Sequence, residues 1–133
     1  MPVNVVSEWL NACSGCEISI LNTGEALLDL LPQLNFVHIP ALVDHKYFGQ
    51  TGDGTTLEIP EAVVGIVSGG VRNAEHEHVL KEVRNKVKFL IALGSCAGFG
   101  GIPAQANMWK GEEVFDKVFR HSVTTEPSPD PKD

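Results

Sequence analysis

Val3-Asn4-Val5-Val6-Ser7-Glu8-Trp9-Leu10-Asn11-Ala12-Cys13-Ser14-Gly15-Cys16-Glu17 is the stretch on which the reading of this chain turns. Its first half, Val3 to Leu10, is apolar and carries the β-branched residues that suit a packed strand. Its second half, Ala12 to Glu17, sets two cysteines two residues apart in a glycine-containing turn, and a helical pattern follows. Both sulfurs are therefore expected at the mouth of a strand-to-helix turn. The last cysteine, Cys96, lies in Gly94-Ser95-Cys96-Ala97-Gly98-Phe99-Gly100-Gly101, again directly after an apolar run. Two cysteine-bearing turns at the same kind of junction can converge. Three thiolates at one point read as a metal or iron–sulfur site that lacks one ligand.

The chain has 133 residues, which suits one compact domain, and its 43% apolar share can fill a core. A net charge of -7 argues against a nucleic-acid footprint and reads as a solvated face. No apolar run approaches the length of a membrane span. The N-terminus lacks a basic region followed by an apolar stretch and a cleavage site, so the expected location is cytoplasmic. The three cysteines are an odd number, and the chain does not resemble a small secreted scaffold, which disfavours a disulfide framework. In a reducing compartment C-x-x-C means a metal site or a redox pair, and the second, glycine-rich cysteine turn adds specificity.

Taken in order, Val3–Leu10 is expected as β1, with Leu10 in the core and Trp9 in the core or at a subunit contact. Ile18 to Leu31 spaces Ile20, Leu21, Leu27, Leu28 and Leu31 on one helical face, interrupted at Thr23-Gly24, with Ser19 or Asn22 as a cap and Pro32 ending it. Asn35–Pro40 is expected as β2, with His38 a satisfied buried or edge histidine. Asp44 to Pro60 is too long for a simple connection and reads as functional or mobile. Its Thr51-Gly52-Asp53-Gly54 is a turn signal that suits a surface hairpin, and no P-loop ending is present.

Ala62–Ser68 is a continuous apolar run of the kind buried on both faces of a parallel sheet, ending in Gly69-Gly70. Asn73 caps the next expected helix, whose apolar face is Val79, Leu80, Val83 and Val87. His76 and His78 lie among its charges and read as solvent-facing. Val87–Leu93 is the expected β4, leading into the Cys96 turn, whose amides can point at cluster sulfurs. Glu112–Arg120 makes a last helix. The domain is expected over 1–121, and 122–133 reads as a Pro-rich disordered tail or linker.

Alternating strands and helices argue an α/β fold with a parallel sheet and right-handed crossovers. In such sheets ligands sit beyond the carboxyl ends of the strands. The flavodoxin-like order 2-1-3-4, with helices on both faces, puts the Cys13–Cys16, Gly69–Gly70 and Cys96 turns on one rim. Structural zinc usually shows two close ligand pairs, so the one pair, the distant single and the glycine-rich turns favour a cluster. A thioredoxin-like dithiol leaves Cys96 unexplained.

Cys13-Ser14-Gly15-Cys16-Glu17-Ile18-Ser19, Ser68-Gly69-Gly70-Val71-Arg72 with its acidic helix start at Glu75, and Gly94 to Pro103 closely resemble the small subunit of nickel–iron hydrogenases, nearest to the cytoplasmic types. The resemblance runs from about Trp9 to Met108. It implies a flavodoxin-like domain that holds the proximal [4Fe-4S] cluster and faces the nickel–iron centre of a separate large subunit. Such a chain passes electrons to further redox subunits and does not itself split hydrogen, so it is an oxidoreductase subunit. Carried over, Cys13, Cys16 and Cys96 are three cluster ligands, and Gly15, Gly69, Gly70, Gly94, Gly98, Gly100 and Gly101 form the turns around them. Glu17 reads as a proton relay or interface residue, or equally as a cap or surface carboxylate. Trp9, Phe99, Ile102 and Met108 are candidates for the docking face.

The family's fourth ligand comes from a later C-P-G-C-P-type segment, and this sequence has no fourth cysteine. Three explanations stand: a fragment or shortened form with the ligand on a second polypeptide, a non-cysteine ligand such as His121 or Glu126, or no cluster at all. Other functions compatible with the fold are a quinone-reductase-type subunit, against which the absence of adjacent cysteines counts, a stand-alone metal-binding or assembly protein, and a flavin protein using the Asp44–Pro60 loop.

Overall fold

The apolar runs become β1 (Val3–Trp9), β2 (Leu34–His38), β3 (Ala62–Ser68) and β4 (Val87–Leu93), in a computed structural model that describes residues 1–48 and 54–124. All pairings are parallel, and the sheet order is β2-β1-β3-β4. The chain steps from β1 out to β2, returns to β3 on the other side of β1, and steps on to β4. Right-handed crossovers in opposite directions put α1 (Gly15–Leu21) and α2 (Glu25–Leu30) on one face and α3 (Ala74–Lys86) on the other. This is the α/β, flavodoxin-like order expected from the sequence.

The face under α3 carries the core. Val6, Leu10, Ile59, Ala62, Val67, Val79, Val83 and Val87 are buried together, with Tyr47, Leu57 and Leu80 packed against them. The Asn73 side chain accepts the His76 N–H at 2.9 Å and starts α3. Glu75 and Glu77 in its first turn and Arg84 and Lys86 in its last match the helix dipole. The Arg84 guanidinium then donates to the Val87 carbonyl at 2.9 Å, tying the helix end to β4. His78 is exposed, whereas His76 is half-buried and its Nδ1 accepts the Arg72 N–H at 3.3 Å.

Three expectations change. The stripe from Ile20 to Leu31 does not form one buried face: Leu21, Leu28 and Leu31 are exposed, because Gly24 at φ +65° splits the segment into two short helices. Neither Ser19 nor Asn22 caps it by side chain. Ser19 donates its hydroxyl to the Cys16 carbonyl, and Asn22 is the residue at the C-terminal end of α1. In β4 only Val87 is buried, and Phe89, Leu90 and Ile91 are exposed, since this outermost strand has a neighbour on one side only. After β4 the chain forms α4 (Gly94–Phe99), and the last expected helix follows as α5 (Gly111–Phe115), which continues as a single π-helical turn to Arg120.

The long excursion after β2 turns inward at both ends. The Glu58 N–H donates to the Tyr47 carbonyl at 2.7 Å, and Ile59 joins the core. Thr51-Gly52-Asp53 of the expected turn, and the tail from residue 125 with Glu126, lie outside the described residues. Among those described, no helix is long and apolar enough to cross a membrane.

Beside the core, β1 buries a carboxylate. Glu8 is fully enclosed, its Oε1 2.6 Å from His38 Nε2 on β2, and its Oε2 accepts the Tyr47 hydroxyl at 2.8 Å. Burial, and then the Glu8 charge, push the Tyr47 hydroxyl pKa well above its ordinary value, so it stays a donor. Glu8→Ala is expected to lower unfolding free energy by about 3–5 kcal/mol, because it strands an imidazole and a phenol without their acceptor. Glu8→Gln keeps an acceptor oxygen and should cost less. Urea denaturation of the two variants against the parent chain checks this ordering.

Candidate functional site

The site begins where β1 ends. The Leu10 N–H donates to the Ser68 carbonyl at 2.9 Å, and Asn11 and Gly70 exchange backbone bonds at 3.0 and 3.2 Å. The turns that leave β1 and β3 are thereby clamped together. Gly69 sits in the clamp at φ +80°, where a Cβ would lie 2.7 Å from the Asn11 carbonyl carbon, so only glycine fits. Beyond the clamp Ser14 takes the left-handed conformation, φ 64°, and the chain turns into α1 at Gly15. Cys13 is exposed on this turn, and Cys16 is half-buried in the first turn of α1.

The Cys96 turn is pressed against the same place. The Cys16 thiol lies 3.6 Å from the Leu93 carbonyl at the end of β4. Gly94 has φ +84°, and a Cβ there would come within 2.4 Å of the Cys16 sulfur. The β4 turn thus forms one wall of the Cys16 position, with α4 carrying half-buried Cys96. Behind Cys96, Gly101 packs so closely that a Cβ would lie 3.0 Å from the Cys96 amide nitrogen. Gly70 and Gly98 have room for a side chain, so their glycines are not demanded by packing within this chain.

Electrostatics ties the sulfurs into one group. Burial pushes the Cys16 thiol pKa up, and the nearby Glu17 carboxylate, Cys13 and Cys96 push it further in that order. Each negative charge here opposes the next, and a cation would relieve all of them. No group of three His, Cys, Asp or Glu among the described residues is placed to grip a single metal ion. A zinc ion draws its sulfurs to about 2.3 Å from one centre. An iron–sulfur cluster binds each cysteine through a different iron, so its ligands stand apart around it. The glycine-walled rim and the mutual charge of the thiols fit that larger group.

Glu17 is neither a surface carboxylate nor a side-chain cap. It is 1% exposed, with Oε1 accepting the Ser68 hydroxyl and Oε2 buried without a hydrogen-bond partner among the described residues. Ser68, quoted above only as the start of the Ser68–Arg72 motif, is given no role of its own by the sequence, and its contact with Glu17 is seen only in the fold. Its one signal in the sequence is a lone hydroxyl ending an apolar strand. His121 is exposed and directed at Asp116, 2.9 Å away. Around the rim Phe99, Ile102 and Met108 are strongly exposed, joined by Trp109, and Trp9 is 40% exposed. A cleft of about 510 Å³ beside the clamp is lined by Asn11, Gly70, Arg72, Pro103 and Trp109, among others.

Known proteins share this arrangement of sequence and fold. The family model described as NADH ubiquinone oxidoreductase, 20 Kd subunit, matches residues 13–126. A subunit of the F420-non-reducing hydrogenase of Methanothermobacter marburgensis is 38% identical over 92% of this chain and 37% of its own length. Its counterpart in the vhu F420-non-reducing hydrogenase of Methanocaldococcus jannaschii is 40% identical over 93% of this chain and 40% of its own. The delta subunit of the NAD-reducing hydrogenase HoxS of Cupriavidus necator is 31% identical over 94% of this chain and 54% of its own. The chain thus spans about two fifths of the archaeal relatives and about half of the bacterial one. One chain of the crystal structure of an NAD+-reducing [NiFe]-hydrogenase in the H2-reduced state superposes with a TM-score of 0.83 at 30% identity, over all of this chain and 68% of that one. This chain belongs to the family of the NADH ubiquinone oxidoreductase 20 kDa subunit, and the relatives it matches are subunits of hydrogenases.

Proposed function

We propose that this chain is the electron-transferring small subunit of a nickel–iron hydrogenase working in the cytoplasm. Cys13, Cys16 and Cys96 hold a [4Fe-4S] cluster, which supplies one-electron redox chemistry when bound. The observation that carries this reading is the convergence of the β1 and β4 turns, with the Cys16 sulfur against Leu93 and Gly94. The chain's own residues position and shield: Gly69 and Gly94 allow the close approach, and Glu17 with Ser68 closes the floor. The exposed Trp9, Phe99, Ile102, Met108 and Trp109 surround the rim and suit docking of a large subunit carrying the nickel–iron centre. Further redox subunits take the electrons onward. Of the explanations for the missing fourth cysteine, a ligand supplied by a second polypeptide suits this reading best.

Protein purified without oxygen, with whatever co-purifies, is expected to carry about four irons and four acid-labile sulfides per chain and a cubane-type paramagnetic signal on reduction. Cys16→Ser and Cys96→Ser should each lose most of that iron while circular dichroism keeps the fold. Zinc in place of iron, with no large partner, would overturn the electron-transfer reading in favour of a metal-binding or assembly protein.

Gly94→Ala tests the wall directly. It forces a side chain into left-handed backbone, costing about 1–2 kcal/mol, and drives a methyl into the Cys16 sulfur. Iron content is expected to fall at least several-fold. Gly111→Ala, at a position with open space away from the cysteine turns, should leave it unchanged.

The raised Cys16 pKa has a pH signature in the iron-free protein. The thiolate is the reactive form, so Cys16 should be alkylated several-fold more slowly than exposed Cys13 at about pH 8. Its rate should keep climbing as the pH rises past the ordinary thiol range. Peptide mapping after timed iodoacetamide treatment measures both rates.

A further inference from the structure

Away from the cysteine rim, the loop after β2 is fastened to the sheet by ring nitrogens and a phenol. The Ile39 N–H, one residue past β2, donates to His45 Nδ1 at 2.9 Å. The Leu42 and Val43 N–H groups donate back to the Ile39 carbonyl at 3.1 and 3.0 Å, and the His45 N–H donates to the Val43 carbonyl at 2.7 Å. Ile39 to His45 is therefore a closed turn whose last link is an imidazole nitrogen acting as acceptor. A ring nitrogen that accepts an N–H carries no proton, so this geometry requires neutral His45 with its proton on Nε2.

The neighbouring imidazole has the opposite demand. His38 stacks on His45, centroids 5.9 Å apart and planes 13° apart, and its Nε2 bonds the buried Glu8. Tyr47 meets His38 edge-on at 5.5 Å and donates to the other Glu8 oxygen. Against a Glu8 carboxylate, which can only accept, His38 Nε2 is the donor, so a proton added at its Nδ1 leaves that bond intact. A proton added to His45 must go to Nδ1, where it sets N–H against N–H and breaks the link to Ile39.

We propose that His45 is a pH-sensitive latch: neutral, it locks the Ile39–His45 turn against the end of β2, and protonated, it releases that turn. The groups facing it come from every side. His38 lies on β2 and Glu8 behind it on β1, Asp44, Lys46 and Tyr47 belong to its own loop, and Glu58 stands on the returning segment. From α3, Glu82 and Lys86 face it across a cavity of about 390 Å³ that His38, His45 and Lys46 also line. Asp44 pairs with Lys46, and Glu82 lies 4.0 Å from Lys86. Release of the turn removes the His45 wall of that cavity, while Tyr47 keeps its bond to Glu8.

The test is nuclear magnetic resonance on the full chain across the imidazole range, from about pH 8 to about pH 5. At the upper end, His45 Nδ1 should give the resonance of an unprotonated acceptor. On acidification, Ile39 amide protection, corrected for intrinsic exchange, should fall about 10-fold or more in step with the His45 ring titration, and the Val6 and Val67 amides should keep theirs. In His45→Gln the side-chain carbonyl can accept the same N–H without titrating, and Ile39 protection should then be flat with pH. Flat protection in the parent chain, a loss out of step with the His45 ring, or the same loss in His45→Gln would each overturn the latch. The parent chain alone decides the first two, whether or not the variant folds.

Discussion

Everything at the cysteine rim depends on the end of β1 being held against β3. β1 pairs in parallel with β2 from Val3 to Val6 and with β3 from Val5 to Trp9, so the end that leads to the cysteines is held by β3. The Asn11–Gly70 clamp carries that constraint one step beyond the sheet. It makes the turn with Cys13 and Cys16 leave at a fixed angle, against the turn that leaves β4. Gly69 is the steric condition of the clamp, and Gly94 is the condition of the contact between the turns.

Charge gives the rim its second character. Two half-buried thiols, an exposed one and a fully buried carboxylate gather at one end of the sheet, with the Ser68 hydroxyl as the hydrogen-bond donor to Glu17. Such a group is unfavourable in isolation, since burial and like charge both disfavour ionisation. A cationic inorganic group would turn the same crowding into binding, because each thiol gives up its proton as it takes the metal. The buried Glu8 on the same strand is handled differently: it has two partners, His38 and Tyr47, and packs as part of the core.

Besides the exposed leucines of α1 and α2, two stretches of apolar surface stand open to solvent. One is the rim itself, with Phe99, Ile102 and Trp109. The other is the outer strand β4, where Phe89, Leu90 and Ile91 face outward. The rim patch adjoins the cysteines, which is why it, and not the strand edge, enters the functional reading.

The strands were legible in the sequence because continuous runs of Val, Ile and Leu have few other uses, and Ala62–Ser68 and Val87–Leu93 emerge with the boundaries expected of them. The cysteine turns were legible because C-x-x-C and a glycine-rich turn each followed such a run. Local pattern could not reveal what depends on contacts between distant segments. The apolar spacing of Ile20 to Leu31 describes a helix face, but Gly24 breaks its direction and leaves much of it in solvent. Glu17, written next to a cysteine, has the local pattern of a surface group, and only the end of β3 brings Ser68 over it. Glu8, His38, His45 and Tyr47 are separated by up to 39 positions, and no spacing rule links them. The sequence by itself determined which segments are strands and which turns carry sulfur, because those follow from side-chain type and short-range backbone preference. Which polar groups are buried together was decided only by the tertiary structure, because burial is a property of the packed sheet and its crossovers.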